Sequence, residues 1–163
     1  LRFISIWAFI VFFIYMLYYT GLNVYMRRFI MTRSEAREQA FILVFERIFN
    51  PELSVEDMKA FAQESELFTL DKFAEKLTVS VIENEEAIDE TIKSYLKGWT
   101  ISRIPKVALA LLRLAVAEIM YFDNVPDKVS ANEAVELAKK YAGEKDVPFI
   151  NGVLGSVIRG KVN

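Results

Sequence analysis

The sequence predicts an all-α fold of about seven helices behind a hydrophobic N-terminal segment, and three observations predict it. From Met31 onward apolar residues recur every three to four positions, and no stretch alternates convincingly as a strand. The periodic stretches are punctuated by capping residues, Gly and Pro where helices start and stop. The chain also changes character at Met31: residues 1–30 hold no acidic side chain, whereas residues 31–163 hold all 22 Asp and Glu.

The first helix is expected over 32–49, with Ala36, Ala40, Phe41, Val44, Phe45 and Ile48 on one stripe, and Asn50-Pro51 ends it. Ser54 followed by Asp57 opens a short second helix. A third, over 70–83, turns Phe73, Leu77 and Val81 inward; a fourth, over 84–97, has Ile88, Ile92 and Leu96 spaced by four before Gly98 stops it. The longest and most apolar helix is expected over 104–122, with Pro105 in its first turn. Its Leu109, Leu111, Leu112, Leu114, Val116 and Ile119 cannot share one face, so this helix should be the central one. Ser130-Ala131-Asn132-Glu133 reads as a capping box opening a sixth helix to about Tyr141, with Ala134, Leu137 and Ala138 inward. A last helix should start near Val147 or Pro148 and carry Phe149, Ile150, Val153, Leu154 and Val157. The connections are short, which favours antiparallel neighbours.

Composition excludes several functions. With no Cys and no His, disulfides, thiolate metal sites, zinc sites and Ser-His-Asp catalysis are out. Nor is the chain a generic polycation: residues 31–163 carry 17 basic and 22 acidic side chains, net −5. The charge is uneven, because 46–90 holds thirteen acids against four bases and 91–163 eleven bases against seven acids. A nucleic acid would therefore bind locally, toward the second half and the start of the first helix. No cofactor or metal is expected; Glu83, Glu85, Glu86, Asp89 and Glu90 scatter around a helix and read as a solvated face.

Residues 1–30 admit two readings. Residues 3–19 are nearly all apolar and, extended by 20–26, reach the ~20 residues needed to cross a bilayer, with Arg27, Arg28 and Arg33 placing the rest in the cytoplasm. The preferred reading is translated upstream sequence. Phe, Ile, Tyr and Leu are what A/T-rich DNA yields, and Arg27-Arg28 can be encoded by AGGAGG, a ribosome-binding sequence, six nucleotides before a Met31 codon. On that reading the chain divides into a leader, 1–30, and a functional domain, 31–163, with no membrane partner.

Three blocks then carry a resemblance: Leu111-Leu112-Arg113-Leu114-Ala115-Val116-Ala117-Glu118-Ile119, Ala131-Asn132-Glu133-Ala134-Val135-Glu136-Leu137-Ala138-Lys139-Lys140-Tyr141, and Phe149-Ile150-Asn151-Gly152-Val153-Leu154. With the opening Arg33-Ser34-Glu35-Ala36-Arg37-Glu38-Gln39-Ala40, in this order and spacing, they resemble the NusB family of transcription antitermination proteins over nearly all of 31–161. The resemblance implies two small helical bundles, no catalysis, and binding of boxA RNA together with the ribosomal protein NusE, within an antitermination complex on RNA polymerase in ribosomal RNA operons. It implies a cytoplasmic protein. Monomer and homodimer both stay open.

By the same resemblance the RNA-binding residues are Arg33 and Arg37 in the arginine motif, Tyr141, Gly143, Glu144 and Lys145 in a loop, and Phe149 and Asn151 in the last helix. Arg33 and Arg37 lie one turn apart, so both can reach one phosphate track, although pairing with Glu35 or Glu38 is the alternative. On the RNA-contact reading, Arg37→Ala weakens binding by roughly 1–3 kcal/mol and leaves helix content unchanged. Ser34 and Glu35 stand where other members are basic. Tyr141 and Phe149 can stack on unpaired bases or fill the joint between the last two helices; Asn151 can contact RNA or cap its helix, and Gly152 reads as structural. Arg113 and Glu118 read as structural, each bonded to an adjacent helix. Ala108 replaces a residue often acidic in the family, so no NusE contact is assigned to it or to Lys106. Two alternatives remain. One is the NusB-like RNA-recognition domain of a ribosomal RNA cytosine methyltransferase, whose partner domain needs a Gly-rich loop and a catalytic Cys. The other is a membrane-anchored form of the adaptor.

Overall fold

The computed structural model describes residues 31–64 and 70–162; both readings of residues 1–30 concern residues outside that set. Seven α-helices follow in order: α1 (Arg33–Phe49), α2 (Val55–Glu64), α3 (Lys72–Glu83), α4 (Glu85–Tyr95), α5 (Lys106–Tyr121), α6 (Asp127–Tyr141) and α7 (Asp146–Val162), with a 3-10 turn (Ile101–Arg103) before α5. No strand occurs among the described residues.

The first two helices start on reciprocal side-chain caps. Thr32 accepts from the Glu35 backbone N–H at 3.2 Å while Glu35 accepts from the Thr32 N–H at 2.8 Å. Ser54 and Asp57 do the same at the start of α2, and the Ser54 hydrogen bond holds the Asp57 carboxyl below its usual range. Because Thr32 satisfies an otherwise orphaned amide, Thr32→Ala is expected to lower stability by about 0.5–2 kcal/mol, read as a shift in urea midpoint without a change in slope.

Two starts differ from the sequence reading. Pro105 and Pro126 are the N-cap residues of α5 and α6, each with an extended ψ, 139° and 132°. Proline's fixed φ thus begins α6 at Asp127, ahead of the expected capping box. Ser130 falls inside the helix, its hydroxyl buried without a hydrogen-bond partner among the described residues, and Glu133 is left to reach across to α1.

Helices α1, α2 and α3 pack as one group and α4 to α7 as a second, with α5 touching α1, α3, α4, α6 and α7. This is the central position its composition demanded: every residue from 108 to 119 except Arg113 is buried. Arg113 emerges toward α4, where Asp89 accepts from its Nε and Nη2 at 2.8 Å each and Glu85 lies 2.8 Å from Nη1. Two of the acids expected on a solvated face thus clamp a central-helix arginine, while Glu83, Glu86 and Glu90 are exposed. No helix among the described residues is long and apolar enough to cross a membrane.

Candidate functional site

Helix α1 organises the candidate surface because it lies between α3 on one side and α6 on another. Arg33, in its first turn, is exposed, with its guanidinium carbon 4.4 Å from the centre of the Phe73 ring of α3. Such stacking fixes the planar head without consuming its charge. Ser34 donates to Glu133 of α6 at 2.6 Å.

Arg37, expected to share a phosphate track with Arg33, turns inward instead. Its residue is 5% exposed and Glu118 of α5 is 1% exposed. Nε donates to both Glu118 oxygens at 3.1 and 2.9 Å, Nη2 donates to Oε1 at 2.8 Å, and Nη1 lies 3.4 Å from Glu133 Oε2. A planar fork meeting a carboxylate in this way is the strongest geometry an ion pair adopts. One turn separates the two arginines along α1, but partners on α5 and α6 decide which faces solvent. Arg37 therefore acts on the surface by locking α1 to those helices.

Glu38, one residue on, ties α1 to the end of α6. It accepts from Lys140 Nζ at 2.6 Å and from the Tyr141 hydroxyl. The Tyr141 ring packs against Phe41 of α1 with centroids 5.0 Å apart. Burial first, then the hydrogen bond and the negative charge of Glu38, push the Tyr141 phenol well above its usual pKa, so it stays a donor at physiological pH.

The loop beyond Tyr141 is short and closed on itself. Asp146 N–H donates to the Gly143 carbonyl at 2.9 Å and Gly143 N–H to the Asp146 carboxylate at 3.3 Å. That turn leaves Gly143, Glu144 and Lys145 exposed. Phe149, on the first turn of α7, is half-buried, and its ring lies 5.9 Å from that of Trp99. Asn151 is exposed, and because α7 begins at Asp146 it sits in the second turn, past the capping positions. Gly152 is exposed too, with no atom within 4 Å of where a Cβ would stand, so packing within the chain does not require glycine there.

Sequence reasoning missed three residues of this surface. Trp99 is 55% exposed beside Phe149, and it follows Gly98, whose φ of 74° suits glycine at the turn out of α4. An aromatic residue directly after a helix-ending glycine was the available signal. Glu38 and Glu133 carry no local signal, since their partners lie 96 to 103 residues away.

Comparison with known proteins closes the description. A family model described as "NusB family" matches residues 34–159, starting one residue after Arg33 and spanning Arg37, the loop and most of α7. The transcription antitermination protein NusB of Clostridium botulinum (strain Hall) is 41% identical over 144 residues, covering 78% of this chain and all of that protein. Among solved structures, NusB from Aquifex aeolicus is 32% identical with a TM-score of 0.69, covering 80% of this chain and 89% of that one. A crystal structure of antitermination factors NusB and NusE in complex with dsRNA contains a chain 30% identical with a TM-score of 0.69, covering 80% and 99%.

Proposed function

The chain belongs to the NusB family, and from that premise we propose that it is a transcription antitermination factor that binds boxA RNA together with NusE. Assembled on RNA polymerase, that complex suppresses premature termination, notably in ribosomal RNA operons. The protein acts by binding rather than by catalysis, and it works in the cytoplasm. Residues 31–163 carry the function, and residues 1–30 are assigned no part in it.

The observation that supports this reading most directly is the placement of α1. It presents the outward cation Arg33 at one end and, five residues later, the Glu38 carboxylate that fixes Lys140 and Tyr141 at the edge of the loop. Arg33 supplies a phosphate contact. Phe149, with Trp99 beside it, offers aromatic faces for unpaired bases, and exposed Asn151 offers donors and an acceptor to a base edge. Gly143, Glu144 and Lys145 line the strand's path. Tyr141, held by Glu38 and Phe41, shapes that surface more than it stacks, and Arg37 positions Arg33 through the α1–α5 ion pair.

The test is binding to a boxA oligonucleotide and to a scrambled one of equal length, with and without NusE, at stated salt concentrations. Discrimination between the two RNAs that strengthens with NusE is expected. Equal affinity for both, with NusE present, overturns the proposal.

A further inference from the structure

A shallow concavity of about 240 Å³ lies beside Arg33, lined by Arg33, Lys72, Phe73, Lys76, Phe122 and Asn124. We propose that it is a phosphate-group site that extends the surface from Arg33 onto α3, and that its occupant is a backbone phosphate of the bound RNA; the RNA assignment rests on the function proposed above.

Three cations and no carboxylate line this dish. Its floor is Phe73 and Phe122, both buried, meeting edge to face with centroids 5.6 Å apart. The cations are seated on those rings: the Arg33 guanidinium carbon is 4.4 Å from the Phe73 centre and Lys76 Nζ 4.9 Å from the Phe122 centre. An aromatic face orients a cation without neutralising it.

Apart from Asp123, exposed between Phe122 and Asn124, the acids that would quench such a cluster are engaged elsewhere. Asp71 accepts from the Phe73 backbone N–H at 2.8 Å as the cap of α3, and Glu75 is paired with Lys59 at 2.6 Å. Glu118 and Glu133 are taken by Arg37 behind the floor. Among the described residues, neither Arg33, Lys72 nor Lys76 has a carboxylate within ion-pair distance. Lys72 and Lys76, both exposed, also lie four residues apart on α3, where like charges repel on a helix surface. A tetrahedral oxyanion between them removes that repulsion and accepts hydrogen bonds from lysine and guanidinium donors together. Asn124, in the α5–α6 connection, adds an uncharged donor at the rim.

Arg33, at the dish, and Glu38, which holds the edge of the loop, lie five residues apart on α1, about 7.5 Å of helix rise and about 140° around the helix. Because the dish is built mainly of cations and rings, with Asn124 its one amide, it contributes affinity and salt dependence more than sequence discrimination.

The test compares the wild type with the double variant Lys72→Gln, Lys76→Gln, leaving Arg33 intact, after thermal unfolding has shown the same folded population. One arm follows the backbone amide NMR signals of Phe73, Lys76 and Asn124 during titration with inorganic tripolyphosphate. A saturable shift in the wild type that the double variant loses is expected. The other arm measures RNA affinity against salt. The double variant should bind boxA and scrambled RNA weaker by the same factor, roughly tenfold for one charge-assisted contact, and its log–log salt slope should be shallower by roughly 0.7. A lost tripolyphosphate response with unchanged RNA affinity and slope makes this a free-anion site and overturns the RNA assignment. No response in either arm overturns the site altogether. If the wild type binds no RNA, the proposed function fails, and the tripolyphosphate arm still decides the dish.

Discussion

Glu118→Ala is expected to destabilise the fold by about 3–5 kcal/mol, seen as a large fall in urea midpoint, because it leaves the Arg37 guanidinium charged and nearly dry. Arg37 is 5% exposed, and its four side-chain donor contacts among the described residues all go to Glu118 or Glu133, three of them to Glu118. Glu133, whose side chain is 27% exposed, keeps its 3.4 Å contact in the variant, which places the expected loss toward the lower end of that range. The paired replacement Arg37→Met with Glu118→Leu removes both charges and is expected to be near neutral or stabilising, since neither desolvation cost remains. This asymmetry separates a buried ion pair from a surface one, for which both single and double changes would register within about 1 kcal/mol. The same geometry revises what Arg37→Ala should do. Rather than weakening RNA binding at constant helix content, it strands Glu118 and lowers stability, and any loss of RNA affinity has to be read after correcting for the folded fraction.

What sequence made legible, and what it did not, follows the range of the interactions concerned. Helix existence is local, so the periodicity of Phe73, Leu77 and Val81 or of Ile88 and Ile92 sufficed to place α3 and α4 with those residues buried. The separate partners of Arg113 and Glu118 were readable for a similar reason: five positions apart on one helix, they face different neighbours, and the structure pairs them with α4 and α1 respectively. The start of α6 was misplaced because two local signals compete there, a Ser-x-x-Glu pattern and a proline, and the proline's fixed φ acts first. Arg37 was beyond local reasoning. Arg33 and Arg37 differ by only about 40° around the helix, and burial of the second depends on Glu118, 81 residues on. The basic dish was hidden in the same way: Lys72 and Lys76 read as an ordinary exposed face of α3 until Arg33 and Phe122 are brought beside them from other helices.

Leu111→Ala and Leu112→Ala should each cost about 2–5 kcal/mol, and the informative result is that both do. Adjacent residues on a helix point about 100° apart, so a helix that buries one face holds both deep in the core only where the pair straddles the middle of that face. Here each is 0% exposed, as are Ala108, Ala110, Val116 and Ala117 on the same helix. Enclosure on nearly all sides follows from the five helices packed around α5, and it leaves little room to relax into a cavity from either direction. Urea unfolding of the two variants checks it: a loss at one position with a change under 0.5 kcal/mol at the other would mean that α5 is one-sided and the packing described for it is wrong. The consequence reaches the candidate surface, because α5 also carries Glu118, the anchor that holds Arg37 and with it the first turns of α1. Loosening α5 therefore loosens the mount of Arg33, so both leucine variants should show weaker RNA binding even under conditions where the folded state predominates, whereas Thr32→Ala, which only frays the end of α1, should shift stability first.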